Sequence, residues 1–157
     1  MAETENLARL RTLISLLGID PDAIKVNFDL RFKIQKSIRL LQLHPEISKF
    51  VRYNFNFYVR GPYSSGLAKN YYNLPVQGVE LPLSSVARYY IQEIGRMSSS
   101  DLLLYATLAE VVEHNKGFPD AALISTVKAI KPQFGGTEIA TALRRLRAMR
   151  QQFGLSI

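Results

Sequence analysis

Residues 52–72, RYNFNFYVRGPYSSGLAKNYY, change from the pattern of a strand to that of a helix within one short segment. Polar and apolar side chains alternate at first, which is typical of a half-buried strand. The predicted inward face has Tyr53, Phe55, Phe57 and Val59, and the outward face has Arg52, Asn54, Asn56, Tyr58 and Arg60. A turn is predicted at residues 61–64. Ser64 is predicted to cap the next helix, because its hydroxyl can accept a hydrogen bond from a first-turn N–H.

The predicted strand needs a partner, because a lone strand leaves its backbone hydrogen-bonding groups unpaired. Apolar residues alternate again over residues 76–83, so this segment is the predicted partner. The same region is dense in aromatic residues: seven of the chain's sixteen Tyr and Phe residues lie between positions 53 and 72. This density indicates either a corner of the core or a contact surface, and both interpretations stay open.

The rest of the chain has helical patterns. Apolar residues recur at helical spacing, and Ser, Asp, Pro and Gly supply start and stop signals. Helices are predicted over about 3–17, 27–44, 84–94, 98–115, 119–130 and 137–153, the last capped by Thr137. We therefore predict a mainly α (α+β) fold, a single helical domain over 1–157 with a small β-element, similar to a winged helix.

Composition narrows the class of protein. A length of 157 residues suits one domain. The absence of cysteine removes disulfides and thiol chemistry. No run approaches the roughly 18 apolar residues that a membrane helix needs. The acidic start is unlike a signal peptide, so a cytoplasmic protein with no membrane partner is expected.

Positive charge is concentrated in two blocks. The net charge is +7 overall, with +6 in residues 31–60 and +5 in residues 128–157. On the second predicted helix, three cations lie opposite the apolar arc and form a basic outer face. Clustered cations favour a polyanionic partner such as DNA or RNA. The predicted nucleic-acid contacts are Lys33, Lys36, Arg39, Arg52, Arg60, Arg144, Arg145 and Arg147.

The sequence contains no recognised catalytic or metal-binding pattern, so the chain is predicted not to be an enzyme. His44 and His114 stand alone, without a ligand set at a recognised spacing, so no metal and no cofactor are predicted. Glu110 and Glu113 have the spacing of a polar helix surface. The segment around the GPYSSG turn resembles neither phosphate-binding loop pattern, yet it starts a helix and could hold an anion or a partner. Its candidate contacts are Tyr58, Tyr63, Ser64 and Ser65.

The last two predicted helices follow each other in the order of a helix-turn-helix motif. In that motif the second helix contacts DNA, here with the arginines at 144–147. The intervening turn is longer than the usual three or four residues. The arginines also lie mid-helix, whereas base contacts usually come from the first turns. A helix-turn-helix motif is therefore only a secondary hypothesis.

Four segments resemble the YwgA-like family of prokaryotic proteins. They are RFKIQKSIRLLQ (31–42), YNFNFYVRGPYSSGLAKNYYNL (53–74), LLLYATLAEVV (102–112) and VKAIKPQFGGTEIATALRRL (127–146). The GPYS element is the most specific, and residues 1–19 lie outside the resemblance. The family is distantly similar to the Panacea antitoxin domain, a helical module that acts by protein contact. The resemblance implies a non-catalytic helical module.

Two functions are thus predicted from the sequence. The first is a non-catalytic nucleic-acid-binding module with a basic surface and little sequence specificity. The alternative is a protein–protein interaction module, either antitoxin-like or an adaptor, whose partner is another protein or a second copy of this chain.

Overall fold

A computed structural model describes residues 2–58 and 61–157, and its fold is mainly helical with a small antiparallel sheet, as predicted. The helices are α1 (Ala2–Leu16), α2 (Phe28–Leu41), α3 (Ser65–Tyr71), α4 (Ser85–Gly95), α5 (Ser99–His114), α6 (Asp120–Ile130) and α7 (Gly136–Phe153). Short 3-10 helices span Pro21–Val26 and Ile47–Lys49, and the strands are β1 (Asn56–Tyr58) and β2 (Gly61–Tyr63).

Most helix starts follow local capping signals. The hydroxyls of Ser64, Ser84 and Ser98 accept the N–H of the residue three positions on, which satisfies a first-turn donor. The cap predicted at Thr137 is wrong, because Thr137 lies inside α7. That helix starts after Gly135, whose N–H donates to the Glu138 carboxylate at 3.3 Å.

Helix α2 is the centre of the fold. Every residue from Ile34 to Leu41 is buried. The helix packs against α4 and α5, and also against α3 and β2. Burial on all sides is typical of a central helix, although the polarity pattern of this one is that of a surface helix.

The strand prediction at 52–60 is only partly right. Three residues form β1, and they pair with Gly61–Tyr63, the segment predicted to be the turn. Gly61 has φ +87°, a backbone conformation that favours glycine. This conformation at the start of β2 is compatible with the antiparallel pairing of β2 with β1. Phe57, predicted to face inward, is 41% exposed, and Val59 lies outside the described residues.

Residues 76–83 are not the partner strand. This segment forms no strand and lies against α1, where the Thr12 hydroxyl donates to the Val79 carbonyl at 2.6 Å and accepts the Val79 N–H at 2.9 Å. A Cβ on Gly78 would lie 2.3 Å from that hydroxyl, so glycine permits the close approach. One side chain therefore supplies the hydrogen bonds that a neighbouring strand was expected to supply.

The hairpin formed by β1 and β2 precedes α4–α7 in the chain and packs on α2 and α5. Helices α5, α6 and α7 contact one another pairwise and form a three-helix unit. The helix-turn-helix order of α6 and α7 is present within that unit, with residues 131–135 between the helices. The likeness to a winged helix stays a prediction.

Candidate nucleic-acid interface

The basic outer face predicted for α2 is wrong. Lys36 is 2% exposed and Arg39 is 6% exposed. The side of α2 opposite its apolar arc is covered by α5 and the hairpin, so these cations meet protein groups instead of water. Because both side chains are enclosed, neither can contact a phosphate on the surface.

Each buried cation has an internal acceptor. The Lys36 ammonium donates to the Pro62 carbonyl at 2.7 Å. The Arg39 guanidinium pairs with the carboxylates of Glu110 at 2.5 Å and Glu113 at 3.0 Å. Glu110 is buried, so its predicted place on a polar surface stripe is also wrong. Buried charges need such partners, because removing an unpaired ion from water costs several kcal/mol.

The other predicted contacts of the first basic block add little exposed charge. The half-buried Lys33 donates to the Gly95 carbonyl at 3.1 Å. Arg52 is exposed and donates to the Ser48 carbonyl at 3.3 Å. Arg60 lies outside the described residues. The described part of this block therefore holds the fold together more than it forms a surface.

The predicted anion site at the GPYS segment is already satisfied by protein groups. Ser64 is buried, and its N–H donates to Oε1 of Gln35 at 2.8 Å. Its hydroxyl caps α3 through the Leu67 N–H, so neither group is available to an anion. Ser65 and Tyr63 are exposed beside it, and the side chain of Tyr58 is not among the described parts of the chain.

The aromatic cluster divides between core and surface. Tyr71 is 4% exposed, and burial raises the pKa of its hydroxyl to about 12. Tyr72 is exposed beside it, and its ring lies 5.9 Å from the guanidinium carbon of Arg31. Arg31 also lies 5.9 Å from the exposed ring of Phe28. These two exposed aromatic side chains form an apolar face around one cation.

Helix α7 carries the exposed positive charge of the second block. Arg144, Arg145 and Arg147 are all exposed, and Arg150, which the sequence analysis did not select, is exposed as well. The apolar side of the helix packs into the core through Ile139, Ala142, Leu143, Leu146, Met149 and Phe153. Arg150 follows Arg147 by three positions, and this helical spacing could have indicated it.

The α7 arginines differ in how tightly they are held. Arg147 pairs with Asp120 of α6 at 2.6 Å, and both side chains are about half exposed. The guanidinium of Arg145 lies 5.6 Å from the ring of Tyr105. Arg144 donates to the Thr141 hydroxyl at 3.3 Å. Arg150 has no ion-pair partner among residues 2–58 and 61–157.

A groove of about 700 Å³ adjoins α7 where α5 ends and α6 begins. Its apolar lining includes Val112, Leu123 and Phe118, and its cations are Lys116, Arg147 and Arg150. Phe118 is 45% exposed. Lys116 and Phe118 belong to the loop between α5 and α6, where periodicity gives no signal, so sequence analysis missed both.

Other site chemistry is limited in the described part of the chain. Residues 2–58 and 61–157 contain no group of three or more His, Cys, Asp or Glu side chains that could hold a metal ion. Among the same residues, none of the helices has the length and apolar character to span a membrane. Comparisons with protein-family models, curated proteins and solved structures find no match for this chain. The resemblance to the YwgA-like family stays a prediction.

Proposed function

We propose that this chain binds the phosphate backbone of DNA or RNA with little sequence specificity, and that α7 is the contacting helix. The observation that carries the proposal is the exposure of four arginines, at positions 144, 145, 147 and 150, along one helix whose only acidic residue is Glu138. The planar guanidinium group forms paired hydrogen bonds with phosphate oxygens. Phosphate contact of this kind supplies affinity without reading bases.

The existing contacts of these arginines do not compete strongly with a phosphate. The ion pair between Arg147 and Asp120 is exposed to water, and exposed pairs contribute at most about 1 kcal/mol. Arg150 has no carboxylate partner among the described residues. Phosphates can therefore replace weak contacts at α7, whereas the buried pair of Arg39 and Glu110 has no such access.

Low specificity follows from where the arginines lie. Base contacts in helix-turn-helix proteins come from the N-terminal turns of the second helix. In α7 those turns carry Gly136, Thr137, Glu138 and Thr141, and the arginines begin only at position 144. Long cations in the middle of the helix favour the sugar–phosphate backbone over base edges.

The test is a gel-shift titration with a matched pair of variants. The α7 variant combines Arg144→Gln, Arg145→Gln and Arg150→Gln. The control variant combines Lys25→Gln, Lys69→Gln and Arg96→Gln, which are exposed cations outside α7. Both variants lose the same formal charge, so a difference between them reports position.

We expect the wild-type protein to shift a mixed-sequence oligonucleotide at low salt. The α7 variant should lose at least about tenfold in affinity, and the control variant should lose much less. Equal losses would mean that general surface charge, not α7, holds the nucleic acid. No shift by the wild-type protein at micromolar concentration would overturn the proposed function.

A second function, protein docking, is favoured by the apolar face around Arg31. The exposed rings of Phe28 and Tyr72 each lie 5.9 Å from the Arg31 guanidinium carbon, and Val26, two positions before Phe28 in the chain, is 89% exposed. Aromatic residues and arginine are enriched at protein interfaces. A second copy of the chain is the partner to test first, by light scattering at high protein concentration. Phe28→Ser should abolish any dimer if this face forms it.

A further inference from the structure

We infer that the groove beside α7 receives an unpaired nucleotide, so that the chain prefers single-stranded nucleic acid to duplex. This inference rests on the proposed function and names its ligand more closely. The groove brings together three cations, two buried or half-buried apolar side chains and one exposed aromatic residue. Sites for single strands combine a cationic track with aromatic side chains on which bases stack.

The groove has the size of a ligand site. Its volume of about 700 Å³ falls within the range of roughly 300 to 1,000 Å³ that is typical of small-molecule pockets. Val112 and Leu123 line it with apolar surface. A base removed from a stack exposes two apolar faces. A partly apolar recess can therefore bind an unpaired base, whereas the bases of a duplex remain stacked on their neighbours.

Phe118 is the residue placed to stack against a base. Phe118 is 45% exposed and lines the groove, so part of its side chain is accessible to a ligand. Phe118 follows Gly117, whose φ of +90° is a conformation that favours glycine. Stacking of a base on an aromatic side chain tolerates any sequence, since every base has a π-face.

The cations of the groove are placed to bind the adjoining phosphates. Lys116 precedes Phe118 in the loop between α5 and α6, and Arg147 and Arg150 line the α7 side. Lys116 and Arg150 have no ion-pair partner in the described residues. Glu113, the carboxylate in the lining, is paired with Arg39 at 3.0 Å, which reduces its repulsion of a phosphate. A strand that follows α7 would therefore place phosphates and one base within the same recess.

An acidic peptide is the other ligand that three cations could attract. A peptide carboxylate would use the cations without needing the flat face of an aromatic ring. The exposed ring of Phe118 beside the cations is what favours a nucleotide over a peptide. Poly-glutamate therefore serves as the comparison polyanion, because it has charge and no bases.

The test measures fluorescence anisotropy with an oligothymidine strand and with a duplex of equal length. We expect the wild-type protein to bind the single strand more tightly. Phe118→Ala should weaken single-strand binding by at least about fivefold and change duplex and poly-glutamate binding by less than about twofold. Phe57→Ala is the matched control, because Phe57 is 41% exposed on the hairpin. Thermal melting of each variant verifies that the fold is intact.

Tryptophan at position 118 gives a second readout that does not depend on affinity. The chain has no tryptophan, so Phe118→Trp introduces the only one. A stacked base should quench the fluorescence of the Phe118→Trp variant as oligothymidine is added. The fluorescence of the Phe57→Trp control variant should not be quenched. Phe118→Trp should also retain single-strand affinity, whereas Phe118→Leu, which is apolar but not flat, should lose it.

The outcomes separate this inference from the proposed function. The inference about the groove would be wrong if the protein bound strand and duplex equally, with no effect of Phe118→Ala and no quenching. Backbone binding by α7 would still stand in that case. Equal weakening of oligothymidine and poly-glutamate by Phe118→Ala would also overturn the inference about the groove, because stacking would not be the cause. Failure to bind any nucleic acid would overturn the proposed function itself.

Discussion

The side-chain amide of Gln35 forms two hydrogen bonds with the backbone of Ser64, one to its N–H and one to its carbonyl oxygen, both of 2.8 Å. Gln35 and Ser64 are both buried. The residue next to Gln35, Lys36, donates to the Pro62 carbonyl at 2.7 Å. Two adjacent side chains of α2 thus fix the GPYS segment against the central helix.

Loss of the Gln35 amide should destabilise the whole domain. Gln35→Ala leaves the buried N–H of Ser64 without a partner, whereas the Ser64 carbonyl still accepts the Ala68 N–H at 3.1 Å. An unsatisfied buried group costs about 1 to 3 kcal/mol and the lost hydrogen bond to the carbonyl about 1 kcal/mol more, so we expect a loss of about 2 to 4 kcal/mol in the free energy of unfolding. Urea denaturation measures it. Gln92→Ala, at an exposed position of α4, is the control and should change stability by less than about 0.5 kcal/mol.

The ion pair between Arg39 and Glu110 leads to a second prediction. Arg39→Met leaves the Glu110 carboxylate buried without its main partner, which should cost about 3 to 5 kcal/mol. Adding Glu110→Met should recover most of that loss, because two apolar side chains need no charge partner. Chemical denaturation of the two single variants and the double variant gives the coupling energy. If the losses in the free energy of unfolding were additive, the Glu110 carboxylate would not be an unpaired buried charge in the Arg39→Met variant.

Gly61 provides a third test, at the turn into β2. A Cβ there would lie 2.9 Å from Cδ1 of Leu103, in a backbone conformation that side chains rarely adopt. We expect Gly61→Ala to lower the free energy of unfolding by about 1 to 3 kcal/mol. Gly136→Ala, at the open start of α7, is the matched control and should be neutral or stabilising. Equal effects of both substitutions in thermal melts would contradict the role of Gly61.

The parts of the fold that the sequence predicted are those with local signals. The cap at Ser64 depends only on the residues that follow it, so it could be predicted correctly. The strand partner could not, because pairing depends on contacts between distant segments. Residues 76–83 had the alternation of a strand, but Thr12 of α1 provides hydrogen bonds that fix them elsewhere.

The candidate site shows the same division. Helical period correctly placed Lys36 and Arg39 opposite the apolar arc of α2, but period alone does not say whether that side meets water. That side of α2 contacts protein groups that are distant in the chain. Lys36 bonds to Pro62, 26 residues away, and Arg39 bonds to Glu110, 71 residues away. Helix α7 lies at the edge of the fold, so its polar arc is exposed as the pattern indicates.

His44 should make stability depend on pH. Its ring is buried against Tyr90, and burial holds the pKa of His44 below its usual value of 6.5, although nearby Glu46 opposes this. The unfolded chain then binds more protons below about pH 6.5, so stability falls as the pH falls through that range. His44→Gln should show a smaller loss between about pH 7 and pH 5 in urea denaturation. An unchanged loss would assign the effect to other groups.

Salt dependence distinguishes phosphate contact by α7 from weaker attraction by the whole surface. Each phosphate neutralised on a duplex contributes a slope of about −0.9 to the logarithm of the association constant against the logarithm of salt concentration. Four exposed arginines on α7 therefore predict a slope of about −3 to −4 for the wild-type protein. The α7 variant should retain a slope of about −1, and the control variant should keep the wild-type slope. Fluorescence anisotropy titrations at several salt concentrations give all three slopes. Identical slopes for the two variants would show that the nucleic acid responds to net charge alone, since their formal charges are equal.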